Sequence, residues 1–526
     1  MFLKPDVIKG QKIGFIGNYF TEQLFQRDFQ VKILERDNCE AFVDDSQLSI
    51  VLVDTEFYNK DNSWQGLSLI ELITYLETLD LVVVLVSYND KIINPNYYHI
   101  FISENPEAYE NTDEKIHLPY LINEYIFNPI NLKKSKHIAI LSDTEKFEEF
   151  ESVLDNQLIK YLEKEINNIE CLNVGNLSKP NLLKVSRIIK KCKVVYIDNP
   201  ESFSNVILKY IQLICAAQQT ALIYKSKTSK NSYIISEDNY VNIINLLKSF
   251  NNESILNDHN ILRTSRRVFL NNSLMRYNQL PSILNGDGFI SKDIKISVVT
   301  STIRKNNISN LIEQMNKQNY VDIEIILLTH GFRMNEDDIL KVKEQSKFPV
   351  KILNEERKVV YGACLNKCIE NMSYDYFAKI DDDDLYFPNY LIDSWIAYQY
   401  SEASIVGKHS SFWYFEKQDM TSIRFEKQAY KFTKYIAGAT LFTSKKTIDE
   451  FKFSPLASGI DSDLLKRISE KKKLIYCNGP YEFSVFRDID SSSHTWKVDE
   501  LYLLRSSKIL FYGTSLKDSL SIENNF

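Results

Sequence analysis

An apolar run, Tyr376-Phe377-Ala378-Lys379-Ile380, ends abruptly in four consecutive aspartates, Asp381 to Asp384. A strand-forming run that stops in carboxylates places several negative oxygens at the strand's C-terminal edge, where ligands bind in open α/β sheets. Crowded like charges cost free energy unless a cation offsets them, and hard oxygens suit Mg²⁺ or Mn²⁺. A solvated acidic turn is the alternative, and the flanks decide between the two.

Downstream, Leu385-Tyr386-Phe387-Pro388 leads into a helix, with Pro388 suited to its first turn. Upstream, Gly362 to Ile369 has the spacing of an amphipathic helix. Ile296 to Thr302 reads as a buried strand running into a polar loop, followed by a helical segment from Ile308 to Gln318. A second strand, Ile323 to Leu328, ends at Thr329-His330-Gly331. Strand, helix, strand, helix, strand, acidic loop describes a nucleotide-binding α/β unit with its metal site on the third strand.

On these strings residues from about 294 to 500 resemble a GT-A fold glycosyltransferase of the family 2 type. The resemblance rests on Lys379-Ile380-Asp381-Asp382-Asp383-Asp384, Val406-Gly407-Lys408, Ala437 to Phe442, Gly459 to Leu465 and His494-Thr495-Trp496, in that order. It implies a divalent cation, Mn²⁺ or Mg²⁺, on Asp381, Asp383 and Asp384, with His494 as a further ligand. It implies donor contacts from Thr300, Thr302, Asp381 and Asp382, and an inverting transfer with Asp461 as general base; His330 reads either as a further donor contact or as part of a surface turn. Asp461 stands at a predicted helix start, where backbone N–H groups would keep its carboxylate ionised. The implied donor is a nucleotide-diphosphate sugar of the UDP-sugar kind. The acceptor is a teichoic-acid-like or other cell-wall glycopolymer, a glycan or a glycoprotein. Two positions depart from the family pattern. Leu328-Thr329-His330 lacks the usual second-strand aspartate, and Ile460 replaces the glutamate before Asp461. These departures sustain a rival reading, a catalytically silent sugar-binding or scaffold protein of a glycan-assembly complex.

The first 285 residues are organised differently. Lys12 to Gly17, Leu48 to Asp54, Leu81 to Val86 and Tyr98 to Ser103 are short apolar runs separated by helix-length segments. After Asn128-Pro129 the pattern restarts with His137 to Leu141, Lys193 to Asp198 and Ala221 to Tyr224. We therefore expect an α/β chain with a Rossmann-like domain at 1–130, a second at 131–260, a helical connector at 261–290 and a GT-A domain at 291–526. The tandem arrangement is GT-B-like. His117-Leu118-Pro119-Tyr120 followed by Phe127-Asn128-Pro129 resembles CgeB-type glycosyltransferase-like regions. Gly14 and Gly17 do not form a Gly-x-Gly-x-x-Gly loop, which favours a scaffold, acceptor-binding or assembly role for this half. The arginines of the connector, Arg263, Arg266, Arg267 and Arg276, read as a solvated helix face.

Composition narrows the function classes. A net charge of −7 argues against nucleic-acid binding. Seven scattered cysteines without a Cys-x-x-Cys pair fit buried thiols in a reducing cytoplasm; Cys364 and Cys368, one helical turn apart, read as core thiols. Neither a signal-peptide pattern nor a run near the ~20 apolar residues of a membrane span is evident. The expected location is the cytoplasm or the inner face of the membrane, with room for peripheral membrane association and a homo-oligomer. The Lys-, Asn- and Ile-rich composition resembles the coding bias of AT-rich bacterial genomes.

Overall fold

The computed structural model describes residues 8–46, 48–55, 64, 66–88, 97–104, 115–142, 156–164, 169–173, 181–225, 235–251, 255–277, 279–287, 290–488 and 500–512. The chain divides into two compact units, one of residues 1–129 with 133–292 and one of residues 130–132 with 293–526.

The first unit holds two parallel sheets. The six-stranded sheet comprises β1 (Lys12–Ile16), β2 (Gln30–Ile33), β3 (Ile50–Asp54), β4 (Val82–Ser87), β5 (Tyr98–Ser103) and β6 (Lys115–Pro119), in the order β2-β1-β3-β4-β5-β6. The five-stranded sheet comprises β7 (Lys136–Ser142), β8 (Ile169–Asn173), β9 (Cys192–Ile197), β10 (Ala221–Lys225) and β11 (Ile235–Glu237), in the order β11-β10-β9-β7-β8. Their central strands read as continuous Val/Ile/Leu runs because both faces are covered. The predicted connector is in fact a packed helix, Ile255–Asn271. Arg266 is buried among Val268, Phe269 and Leu270, so the expected solvated arginine face is corrected at that position.

The second unit carries the acidic run. Its eight-stranded sheet runs β14-β13-β12-β15-β21-β17-β22-β20, with β12 (Lys295–Thr302), β13 (Asp322–His330), β14 (Val350–Glu355), β15 (Tyr376–Lys379), β17 (Ile405–Gly407), β20 (Lys431–Phe432), β21 (Phe442–Ser444) and β22 (Ile475–Cys477). A smaller five-stranded sheet runs β16-β23-β18-β19-β24, formed by β16 (Leu385–Tyr386), β18 (Ser411–Phe415), β19 (Met420–Arg424), β23 (Phe483–Arg487) and β24 (Ser507–Tyr512). Strands β12, β13, β14 and β15 are parallel, and β21 is antiparallel to β15. In the register, Val299 faces Lys379 and Thr302 faces Thr329. The C-terminal ends of β12, β13 and β15 therefore share one sheet edge. A core beneath that edge packs Val299, Phe377, Cys364, Cys368, Ile460, Leu464 and Leu465 together. Both thiols are buried and burial pushes them up, as core cysteines require. Among the described residues no helix is long and apolar enough to cross a membrane.

Candidate active site

Strand β15 delivers Lys379 and the aspartates to the sheet edge, and β12 delivers the groups that hold them. Thr302 donates its hydroxyl to Asp382 Oδ2, and the Thr302 Oγ1 accepts the Arg304 N–H at 2.8 Å. Arg304 forks across the acidic loop, with Nη1 on Asp382 and Nη2 at 2.9 Å from Asp383 Oδ2. The Asp382 carbonyl accepts from the Asn307 side chain at 3.1 Å. Asp382 is thus a buried brace, and burial together with Asp383 and Asp381 pushes its carboxyl up to about 6 against the pull of Thr302 and Arg304. Thr300 donates to the Ile380 carbonyl at 2.8 Å and is buried, so its hydroxyl ties β12 to the loop.

Asp381, Asp383 and Asp384 each present a carboxylate oxygen within 4.8 Å of the other two. Asp384 is buried, with Oδ1 accepting the Phe486 N–H at 3.3 Å; burial and the charges of Asp383 and Asp381 hold it well above the ordinary carboxylate range. Asp381 Oδ1 accepts from Lys379 Nζ at 2.6 Å. Among the described residues, Arg304 and Lys379 are the cations bonded to these four aspartates, so carboxylates outnumber cations at this edge, and the crowding that raises Asp382 and Asp384 is what a bound cation would relieve. An all-oxygen donor set fits Mg²⁺ or Mn²⁺.

Lys379 is a missed functional candidate. Its side chain is buried, a rare state for lysine without a partner. Burial works against the ammonium, but Asp381 and Asp461 outweigh it and hold its pKa well above the usual value. The nitrogen also lies 5.8 Å from the centre of the Tyr361 ring. One ammonium thus bonds the acidic loop and lies within electrostatic reach of Asp461.

Asp461 sits in the first turn of the helix Ile460–Glu470, whose N-cap Gly459 takes φ +72, a left-handed conformation that glycine adopts without strain. No side chain caps this helix. Asp461 Oδ1 is covered and has no hydrogen-bond partner among the described residues. A Cβ at position 438 would collide with the Asp461 carboxylate, so Gly438 is what lets the Gly438–Thr440 turn approach it. Burial pushes the Asp461 carboxyl up, Lys379 pulls it down and Asp381 pushes it up, and the net shift is upward. Asp463 points elsewhere, accepting from Ser454 at 2.6 Å and Arg467 at 2.8 Å. Tyr386 binds the two halves of the site: its hydroxyl accepts the Asp381 N–H at 2.9 Å and donates to the Ala439 carbonyl at 2.8 Å.

His330 ends β13 on the same sheet edge, nearly buried, with Nε2 unpartnered among the described residues. Ile460, the replacement for the family glutamate, is a core residue against Gly362, where a carboxylate would be buried without water. His494 and Trp496 lie outside the described residues.

Residues 297–440 match the family model of glycosyl transferase family 2. The second unit carries a family 2 glycosyltransferase domain. The match to this family spans Thr300, Thr302, His330 and the aspartates and ends before Asp461. No curated protein matches the chain. Among solved structures, the chain is similar to the mannosyltransferase PcManGT from Pyrobaculum calidifontis, solved with GDP-Man and Mn²⁺, at 12% identity and TM-score 0.31 over 37% of this chain and 57% of that one. It is also similar to S. aureus TarS 1–349 in complex with UDP-GlcNAc, at 15% identity and TM-score 0.31 over 39% of this chain and 62% of that one. The chain spans less than two thirds of the length of either.

Proposed function

We propose that the family 2 domain transfers a sugar from a nucleoside-diphosphate donor, a UDP-sugar, to a hydroxyl of a cell-surface polymer or glycoconjugate, with inversion. The observation that carries this reading is Tyr386, whose hydroxyl accepts the Asp381 N–H at 2.9 Å and donates at 2.8 Å to the carbonyl of Ala439, in the Gly438–Thr440 turn against which the Asp461 carboxylate packs. Acidic cluster and candidate base thereby belong to one site rather than two.

Asp381, Asp383 and Asp384 would hold a Mn²⁺ or Mg²⁺ ion, with His494 as a further donor; such an ion, when bound, offsets charge developing on the departing diphosphate. The chain's own residues do the rest. Asp461 accepts the proton of the acceptor hydroxyl as that oxygen bonds to the anomeric carbon. The bond from the anomeric carbon to the diphosphate oxygen breaks in the same step, and its electron pair leaves with the diphosphate. A raised carboxyl pKa suits this task, because a base closer to the operating pH takes up a proton more readily. Lys379 bonds Asp381 and offsets the charge of Asp461. Thr302 and Arg304 fix the acidic loop through Asp382, and His330 would meet the nucleotide at the same edge, a reading its unpartnered Nε2 supports.

A panel of nucleotide sugars tests the reading. Binding to the native state raises stability by RT ln(1+[L]/Kd), about 2.7 kcal/mol at a hundredfold excess over Kd. One donor should stand out in thermal shift and undergo Mn²⁺-dependent hydrolysis. No stabilisation by any donor, with or without the ion, would overturn the proposal.

A further inference from the structure

The loop from Arg424 to Tyr435 joins the small sheet to the turn that faces Asp461, and its composition stands apart from the rest of the chain. Arg424, Lys427, Lys431 and Lys434 are set against one acid, Glu426, in a protein whose net charge is −7. Glu426 is itself offset by Lys508 at 3.5 Å. Lys427 and Lys434 are exposed.

The same segment leaves Phe425, Phe432 and Tyr435 exposed by 41%, 40% and 48%. Large rings held in solvent cost apolar burial, and clustered ones mark a binding surface. These rings are also fixed. His409 lies 5.2 Å from Tyr435 and 4.8 Å from Phe425, centre to centre. The Arg424 guanidinium is stacked between Phe425 at 4.9 Å and Trp413 at 4.5 Å, and is hydrogen-bonded to Ser506 Oγ. Phe425 takes φ +53, a strained left-handed backbone for a bulky residue, of the kind that clusters at ligand sites. Tyr430, at φ +57, is pinned by its carbonyl, which accepts the Asn131 N–H at 2.6 Å. The loop then enters the turn at Gly438, the residue whose missing Cβ admits the Asp461 carboxylate.

We propose that this basic, ring-lined loop is the acceptor subsite of the transferase, and that it selects a glycan bearing anionic groups, phosphate or carboxylate. Tyr435 and Phe425 offer flat faces for the C–H side of a sugar ring, while Lys427, Lys431 and Lys434 attract the charges carried by neighbouring units. Rings and lysines alternate along the loop, which runs into the turn at Gly438 beside Asp461, so an acceptor lying along it leads its hydroxyl to the base. The inference rests on the transferase reading above.

Its test is direct binding to the full-length protein, without donor or metal. Three length-matched oligomers serve as probes: a phosphodiester-linked polyol, a uronate and a neutral glucan. An anionic oligomer should bind about tenfold or more tightly than the neutral one at low salt, and the margin should shrink as salt screens the charges. The arm that binds identifies the anion, and binding of both identifies charge alone as the selected feature. K427E/K434E should remove the preference. Tyr435→Ala should weaken all binding, and Tyr435→Phe, which keeps the ring, should restore it. Equal affinity for neutral and anionic oligomers, or a preference that survives K427E/K434E, overturns the proposal. Failure of every nucleotide sugar to bind, beside an intact oligomer preference, would count against the transferase reading and leave an anionic-glycan site in place.

Discussion

Replacing Asp461 with Asn separates a catalytic base from a helix cap, because the two roles move stability in different directions. Asn keeps the size and can still cap, but it cannot accept the acceptor's proton. Loss of a general base lowers transfer by about 10²–10⁴-fold, which is about 2.7–5.5 kcal/mol of transition-state stabilisation at 1.36 kcal/mol per tenfold. Stability should behave otherwise. A lost N-cap costs about 0.5–2 kcal/mol, yet Asp461 makes no capping bond, and Gly459 occupies the cap position. What Asn forfeits is the favourable placement of a negative charge in the first turn, about 0.3–1 kcal/mol, and part of the charge that offsets the Lys379 ammonium, which Asp381 still bonds at 2.6 Å. What it relieves is a covered carboxylate oxygen with no hydrogen-bond partner among the described residues. The two terms oppose each other, so the melting temperature should stay within the 2–4 °C that about 1 kcal/mol moves in a domain of this size. The pH dependence has a definite sign. A carboxyl whose pKa is raised on folding contributes stability at low pH and loses it as pH rises through the folded value. The Asn variant should therefore gain on the wild type as pH rises. In the wild type, the acid limb of kcat/KM should lie above the ordinary carboxylate range. The assay is initial-rate transfer beside thermal unfolding across pH. Undiminished transfer in the variant, or lost transfer accompanied by a melting temperature lowered well beyond that window, would refute the role of Asp461 as base.

Asp383→Asn should abolish Mn²⁺-dependent turnover and leave the fold intact; full turnover in the presence of EDTA would exclude a metal-dependent mechanism. Asp382 and Asp384 are both raised, so the unliganded site should lose stability as pH climbs from about 4 through about 6, the span between the ordinary and the folded value for Asp382. Added Mn²⁺ should accordingly raise the melting temperature more at pH 8 than at pH 5, and a pH-independent gain would contradict binding at these carboxylates. Lys379→Met strands Asp381 and Asp461 without their shared ammonium. It should cost stability toward the lower end of about 3–5 kcal/mol, since Asp381 is partly exposed, and denaturant unfolding would measure it.

The sequence was most legible where the physics is local. Runs such as Val82–Ser87 and Asp322–His330 are apolar because parallel strands are covered on both faces, and their period and length announce them without any partner in view. The junction of Ile380 with Asp381 likewise announced a charged sheet edge. Lys379 carried a signal that could have been followed, a single charge inside an otherwise apolar strand. Arg304, in a polar loop, carried none.

By itself, then, the chain determined its α/β alternation, the strand ends that bear Thr302, His330 and Asp381, and the glycines that permit Gly459 and Gly438 to stand where they do. Tertiary structure alone decided which charges meet. About eighty residues separate Arg304 from Asp382, and about eighty separate Lys379 from Asp461, and no periodicity encodes such proximity. The pKa of Asp461 was decided there too. A helix start favours the ionised carboxylate, but covering by the Gly438 turn and the charge of Asp381 reverse the sign. Burial is a property of everything packed around a residue, and Coulomb energy depends on distance through space, so neither can be read from the order of residues along the chain.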